Sequence, residues 1–171
     1  MAVIEAIETV YLEADTASVT FSGIPSTYEH LQLRINARSV DATQTTGAFI
    51  YLRFNGVSSA VYSRHFMTGY GTTEEGGGTA ADSYIKPGVV NTALDDAAAY
   101  SGLVVDILDY AEDGNKNTTV MSHFGSGLGY NIVGLFSSMW DSTDDVTQIA
   151  LTTYDDFARG SEFTLYGLKS S

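Results

Sequence analysis

The sequence predicts an all-β fold, a jelly-roll-like antiparallel β-sandwich in a single domain, and three observations carry that prediction. Apolar and polar residues alternate without a break from Leu31 to Arg38: Leu31, Leu33, Ile35 and Ala37 take one face, Gln32, Arg34, Asn36 and Arg38 the other. A period of two marks a half-buried strand. The same pattern recurs between turn-rich segments loaded with Asp, Gly, Ser and Thr, while helical periodicity is scarce, as in sandwiches and jelly rolls. Finally, 171 residues suffice for one core that buries roughly 68 to 70% of the unfolded surface. No disulfide or metal staple is needed, and the chain has no Cys.

Taken in order, residues 1–17 read as an N-terminal arm or edge strand, because Val3, Ile4, Ile7, Val10 and Tyr11 fit helical spacing while their neighbours also fit an extended segment. The sandwich proper is expected over residues 18–171. Its strands are predicted near Ser18 to Ser22, Leu31 to Arg38, Phe49 to Asn55, Ala60 to Met67, Leu103 to Leu108, Thr118 to Phe124, Tyr130 to Met139, Val146 to Thr152 and Glu162 to Leu168. Asn55-Gly56 ends one strand with residues that tolerate positive φ, and Asp113-Gly114-Asn115 can close a hairpin. Residues 69–101 break the rhythm with Glu74-Glu75-Gly76-Gly77-Gly78, a short strand candidate Tyr84-Ile85-Lys86 ended by Pro87-Gly88, and an alanine-rich turn at Asp95 to Ala99. This stretch reads as a long loop insertion and a place for partner contact.

The formal charge is −13, from eight Lys and Arg against 21 Asp and Glu. Phosphate binding draws on Lys and Arg displacing counterions, so nucleic acid is not an expected partner. The acid is uneven: residues 1–70 hold six carboxylates against four cations, residues 71–171 fifteen against four. Arg34, Arg38, Arg53 and Arg64 lie on or beside consecutive predicted strands and can form a cationic patch for an acidic partner. The ordinary alternative is solvated or internally paired arginines. The N-terminus carries acid where a signal peptide needs base and has no long apolar run, so neither export nor membrane insertion is expected.

Enzyme chemistry finds little support. His30, His65 and His123 lie too far apart for a zinc motif, and no Gly-x-Ser-x-Gly elbow exists. Gly125-Ser126-Gly127-Leu128-Gly129 lacks the following helix and the Lys of a phosphate loop. The pairs Glu74-Glu75, Asp95-Asp96, Glu112-Asp113, Asp144-Asp145 and Asp155-Asp156 are adjacent in loops, whereas glycoside hydrolysis needs carboxyls facing each other across a sugar. Asp113-x-Asn115-x-Asn117 begins like a calcium loop, but Thr118 and Phe124 stand where Gly and Glu belong. No catalytic residue, metal or cofactor is expected. Eleven Tyr suit a wet protein interface or a sugar platform, and Tyr70 and Tyr84 in the insertion join the four arginines as expected contact residues. Trp140 reads as a core plug.

A string of segments carries a family resemblance: Val19-Thr20-Phe21-Ser22-Gly23-Ile24-Pro25 followed by Tyr28 to Arg38, Leu52-Arg53-Phe54-Asn55-Gly56, Asp106-Ile107 with Tyr110-Ala111, Asn115-Lys116-Asn117-Thr118, Trp140 to Thr143, and Gly160 to Leu168. Together they resemble the small jelly-roll virion proteins of tailed bacteriophages. The resemblance implies a structural protein on the virion surface. One form is a decoration or cement protein that binds the major capsid protein as a homotrimer; the other is a tail-associated module that binds a host receptor or surface glycan. No heptads or repetitive shaft flank the strand pattern, which favours the free-standing clamp.

Overall fold

The computed structural model describes residues 3–111, 118–125 and 131–169. Along them run β1 (Val3–Tyr11), β2 (Thr16–Ser22), β3 (His30–Ala37), β4 (Ala48–Phe49), β5 (Tyr51–Phe54), β6 (Tyr62–Tyr70), β7 (Thr73–Asp82), β8 (Val89–Val90), β9 (Ser101–Leu108), β10 (Thr118–Gly125), β11 (Val133–Trp140), β12 (Gln148–Phe157) and β13 (Glu162–Lys169). One antiparallel sheet has the order β1-β13-β3-β9-β10-β11-β6-β7, a second has β2-β12-β5, and β4 pairs with β8. Leu52 and Ile85 exchange two backbone hydrogen bonds of 2.9 Å, which adds the Ile85 segment to the second sheet beside β5.

The topology is that of a jelly roll. In chain order β1, β2, β3, β5, the Ile85 segment, β9, β12 and β13 fall in the large, small, large, small, small, large, small and large sheets. In space they give β1-β13-β3-β9 facing β2-β12-β5-Ile85, the two interleaved halves of the eight-stranded fold. Two hairpins are inserted into this frame. The β6–β7 pair enters between β5 and Ile85, the β10–β11 pair between β9 and β12, and together they lengthen the large sheet beyond β9.

The alternation of β3 becomes burial: Leu31, Leu33, Ile35 and Ala37 are inside, and Arg34 and Asn36 are exposed. Their partners across the sandwich are Phe21, Leu52, Phe54, Ile149 and Leu151 of the small sheet, all buried. Trp140 plugs the core at the far end, with its ring 5.4 Å from Phe54 and 6.4 Å from Tyr62. Asn55 (φ 51°) and Gly56 (φ 70°) make the turn after β5. The Asn55 amide fastens that turn to the chain entering β12, accepting from Thr147 N and Gln148 N and donating to Asp145 O.

The structure decides one open reading of the sequence and alters another. Residues 3–11 form an edge strand paired with β13. The stretch 69–101 is only in part a loop, because β7 occupies ten of its residues and pairs along β6. The glycines that suggested a loop make this pairing possible. A Cβ at Gly78 would sit 2.6 Å from His65 Cδ2 and 2.8 Å from Arg64 O, and one at Gly77 3.0 Å from the Phe66 ring. In a strand, glycine commonly marks such close approach. The expected turn at Asp113-Gly114-Asn115, the pair Glu112-Asp113, the calcium-like spacing to Asn117 and most of the run Gly125–Gly129 lie outside the described residues.

Candidate functional site

The outer face of the small sheet carries the densest set of chemically active side chains. In β5 the buried Leu52 and Phe54 turn Tyr51 and Arg53 away from the core. The Ile85 segment repeats this, because burial of Ile85 sends Tyr84 and Lys86 outward. The Leu52–Ile85 ladder therefore sets two aromatic–cation pairs side by side. Tyr51 and Tyr84 meet edge to face at 4.6 Å. The Arg53 guanidinium lies 5.5 Å over Tyr84 while its Nε donates to Ser83 O at 3.0 Å. Lys86 Nζ sits 4.8 Å over Phe49, 5.3 Å over Tyr84 and 5.8 Å over Tyr51, so one ammonium is caged by three rings.

The inserted hairpin completes the ridge. Arg64 of β6 lies 3.6 Å from the Asp82 carboxylate of β7, and its guanidinium is 5.6 Å over Phe66. Burial lowers the Lys86 pKa, the Arg64 charge lowers it further, and Asp82 opposes both. Burial raises the Tyr51 pKa, with Tyr84, Tyr154 and Asp82 adding to the rise and Arg64 working against it. The groups thus form one electrostatic neighbourhood. Three of the chain's eight Lys and Arg gather in it, in a protein of net charge −13.

Of the residues expected from sequence, Arg53, Arg64 and Tyr84 come together here. Tyr70 stands further along β6, on a cavity it shares with Arg64 and Phe49. The single patch of four arginines does not form. Arg34 is on the outer face of the large sheet, on the opposite side of the sandwich, bonded through Nε to Gln32 and 5.1 Å over Tyr166. Arg38 is half-buried beyond the end of β3, where its Nη2 donates to Asp95 O. β3 and β5 lie in different sheets, so their outward residues Arg34 and Arg53 point in opposite directions. Lys86, Phe49, Tyr51 and Asp82 complete the cluster, and the signal for Lys86 was the outward–inward–outward pattern of Tyr84-Ile85-Lys86.

The remaining candidates are dispersed. His65 and His123 are exposed on the outer face of the large sheet. His30 Nδ1 accepts from Asp109 N at 3.1 Å and lies 3.5 Å from the Asp109 carboxylate. Among the described residues no group of three or more His, Asp or Glu is placed to hold a metal ion, and no helix is long and apolar enough to cross a membrane. The outer face of the large sheet also bears an apolar strip where β11 meets β6, with Met67 66%, Val133 64% and Leu135 46% exposed.

No family model and no curated protein matches the chain. Among solved structures it is similar to a protein of unknown function from Shewanella oneidensis MR-1, at 10% identity and a TM-score of 0.25 over 96% of this chain and 75% of that one. A likeness of that size carries no argument about fold or role.

Proposed function

We propose that this chain is a virion structural protein, a decoration protein that binds the outer surface of a phage head as a homotrimer and stabilises the shell without chemistry. The observation that carries the reading is the aromatic–cationic ridge of Tyr51, Arg53, Tyr84 and Lys86 on an otherwise acidic protein. Aromatic residues and Arg are the enriched components of protein interfaces, and a local excess of cations suits an acidic capsid surface. The exposed strip of Met67, Val133 and Leu135 suits contact between copies, since contiguous apolar surface marks association sites. Mass action does the rest, because each bound trimer stabilises only the assembled shell.

A tail-associated glycan-binding module is the second reading, and the exposed Tyr154, 61% accessible, with the Tyr51–Tyr84 pair favours it. Against it, the Phe49, Tyr51 and Tyr84 rings already face Lys86 or Arg53, whereas a sugar needs an open ring face. Gold-labelled antibody on intact particles, viewed by electron microscopy, separates the two. Label over heads, with Arg53→Glu protein failing to rebind stripped heads while wild type rebinds, is the expected result. Label confined to the tail tip overturns the decoration reading.

A further inference from the structure

We infer that the ridge of Tyr51, Arg53, Tyr84 and Lys86 docks an extended peptide segment that carries carboxylates at alternate positions. The inference rests on the reading of this ridge as the partner-facing surface, and it names the chemistry of what the ridge meets. Arg53 and Lys86 are charges without a counter-charge. Among the described residues the ion pairs are His30–Asp109 and Arg64–Asp82, so neither cation has a carboxylate at ion-pair distance, in a chain with 21 Asp and Glu. Asp82, the acid that acts on Lys86, is already engaged, with Oδ2 3.6 Å from Arg64 Nε and Oδ1 accepting from Ser83 N at 3.0 Å. The donors are open as well. Arg53 binds Ser83 O through Nε alone, and neither its Nη atoms nor Lys86 Nζ is among the buried polar atoms left without a partner, so both charged ends reach solvent.

Geometry sets the spacing of the ligand's charges. Leu52 pairs with Ile85, so Arg53 and Lys86 are diagonal neighbours on one sheet face, a separation of about 7 to 8 Å. Both charges also lie over Tyr84, at 5.5 and 5.3 Å from its centroid, and those contacts hold them in place before anything binds. In an extended chain alternate side chains share a face and stand about 7 Å apart, whereas adjacent ones point to opposite faces. Beyond the ridge the sheet face is low, with Ala150 opposite Arg53, Thr152 opposite Tyr51, and Thr20 and Ser18 next in line on β2. A chain can lie flat there with one carboxylate on each cation.

The test is a ¹⁵N-detected NMR titration of the full chain with two capped pentapeptides of identical composition, Thr-Glu-Val-Glu-Thr and Thr-Val-Glu-Glu-Thr, and with free glutarate. The alternate peptide is expected to bind about tenfold tighter than the adjacent one, which places only one carboxylate on the ridge. It is also expected to bind tighter than glutarate, with shifts centred on Arg53, Tyr84 and Lys86. Arg53→Gln and Lys86→Gln are each expected to weaken the alternate peptide about tenfold, whereas Arg34→Gln, on the opposite side of the sandwich, leaves it unchanged. Equal affinity of the two peptides, a match by glutarate, or shifts centred elsewhere each overturns the inference, and the wild-type comparison decides it even if a variant fails to fold. Absence of peptide binding, while Arg53→Glu still abolishes rebinding to heads, overturns the inference and leaves the decoration reading standing. Discrimination between the peptides, with antibody label confined to the tail tip, supports the inference and overturns the decoration reading alone.

Discussion

Phe124 is held between two glycines, and adding one methyl group to either side tests how tightly the inserted hairpins close on the jelly roll. In Gly134→Ala the new Cβ would lie 2.2 Å from Phe124 Cε1 and 2.7 Å from Cζ. Carbon atoms pack best about 3.5 to 4.0 Å apart, so the ring must retreat by about 1.3 Å. It cannot retreat toward Gly88, where even a Cβ would stand 2.6 Å from the same ring. The remaining room is the cavity that Phe124 lines. Overpacking costs about 1 to 3 kcal/mol, and with that outlet we expect about 2 kcal/mol, equivalent to a melting temperature about 4 to 8 °C lower for a chain of this size. Urea unfolding followed by the fluorescence of Trp140, the single Trp and 1% exposed, measures it. In a Phe124→Leu background the obstructed ring carbon is gone, and Gly134→Ala is expected to cost less than about 1 kcal/mol, a coupling of at least about 1 kcal/mol between the sites. A penalty of the same size in both backgrounds, or none in the wild type, would refute the confinement of Phe124.

Three further outcomes are expected. Tyr62 is 1% exposed, and its hydroxyl accepts from Phe54 N and donates to Val57 O, each at 3.1 Å. Tyr62→Phe leaves a buried donor unpaired and is expected to lose about 1 to 3 kcal/mol in the same urea assay. Burial raises the Asp41 carboxyl, but hydrogen bonds from Thr43 Oγ1, Thr43 N and Gln44 N outweigh it and hold the pKa below the usual value. A carboxyl lowered in the folded state stabilises it above the unfolded pKa of about 3.9, and that contribution is lost as pH falls through the folded value. Melts across pH 2 to 7 (roughly the range of that titration) are therefore expected to show Asp41→Asn less stable than wild type at neutral pH, with the gap closing below about pH 4. Under the homotrimer proposed above, Leu135→Glu puts a charge into the exposed strip and is expected to leave the fold intact while sedimentation shows a trimer for wild type and a monomer for the variant; a wild type that sediments as a monomer overturns the trimer, and a variant trimer places the self-contact elsewhere.

The strands were legible wherever one face is buried and the other wet. Leu31 to Arg38 became β3 within a residue at each end, and Leu103 to Leu108 and Glu162 to Leu168 fall inside β9 and β13. The signal fades where burial does not alternate. In β1 nearly every residue is accessible, so period two leaves no mark on composition. β7 is exposed along almost its whole length, and its glycines were selected by the side chains of His65 and Phe66 opposite them, which local sequence does not display. The predicted strand from Phe49 to Asn55 divides into β4 and β5, each serving a different sheet.

The site was legible in kind but not in place. Arg53, Arg64 and Tyr84 gather in one cluster, but the expected Arg patch needed β3 and β5 to share a face, and the jelly roll puts them on opposite sides. What assembles the ridge is a long-range ladder, Leu52 to Ile85, that lies outside any regular strand. The residues between its ends include the β6–β7 hairpin, which contributes Arg64 and Asp82 to the ridge and Phe66 and Tyr70 to the cavity. An insertion placed there lengthens one sheet and furnishes the other sheet's outer edge in a single step. The hairpins therefore share the core of the eight-stranded frame through Tyr62, Phe124, Phe136 and Trp140, and the chemistry on the surface depends on where the β6–β7 hairpin sits.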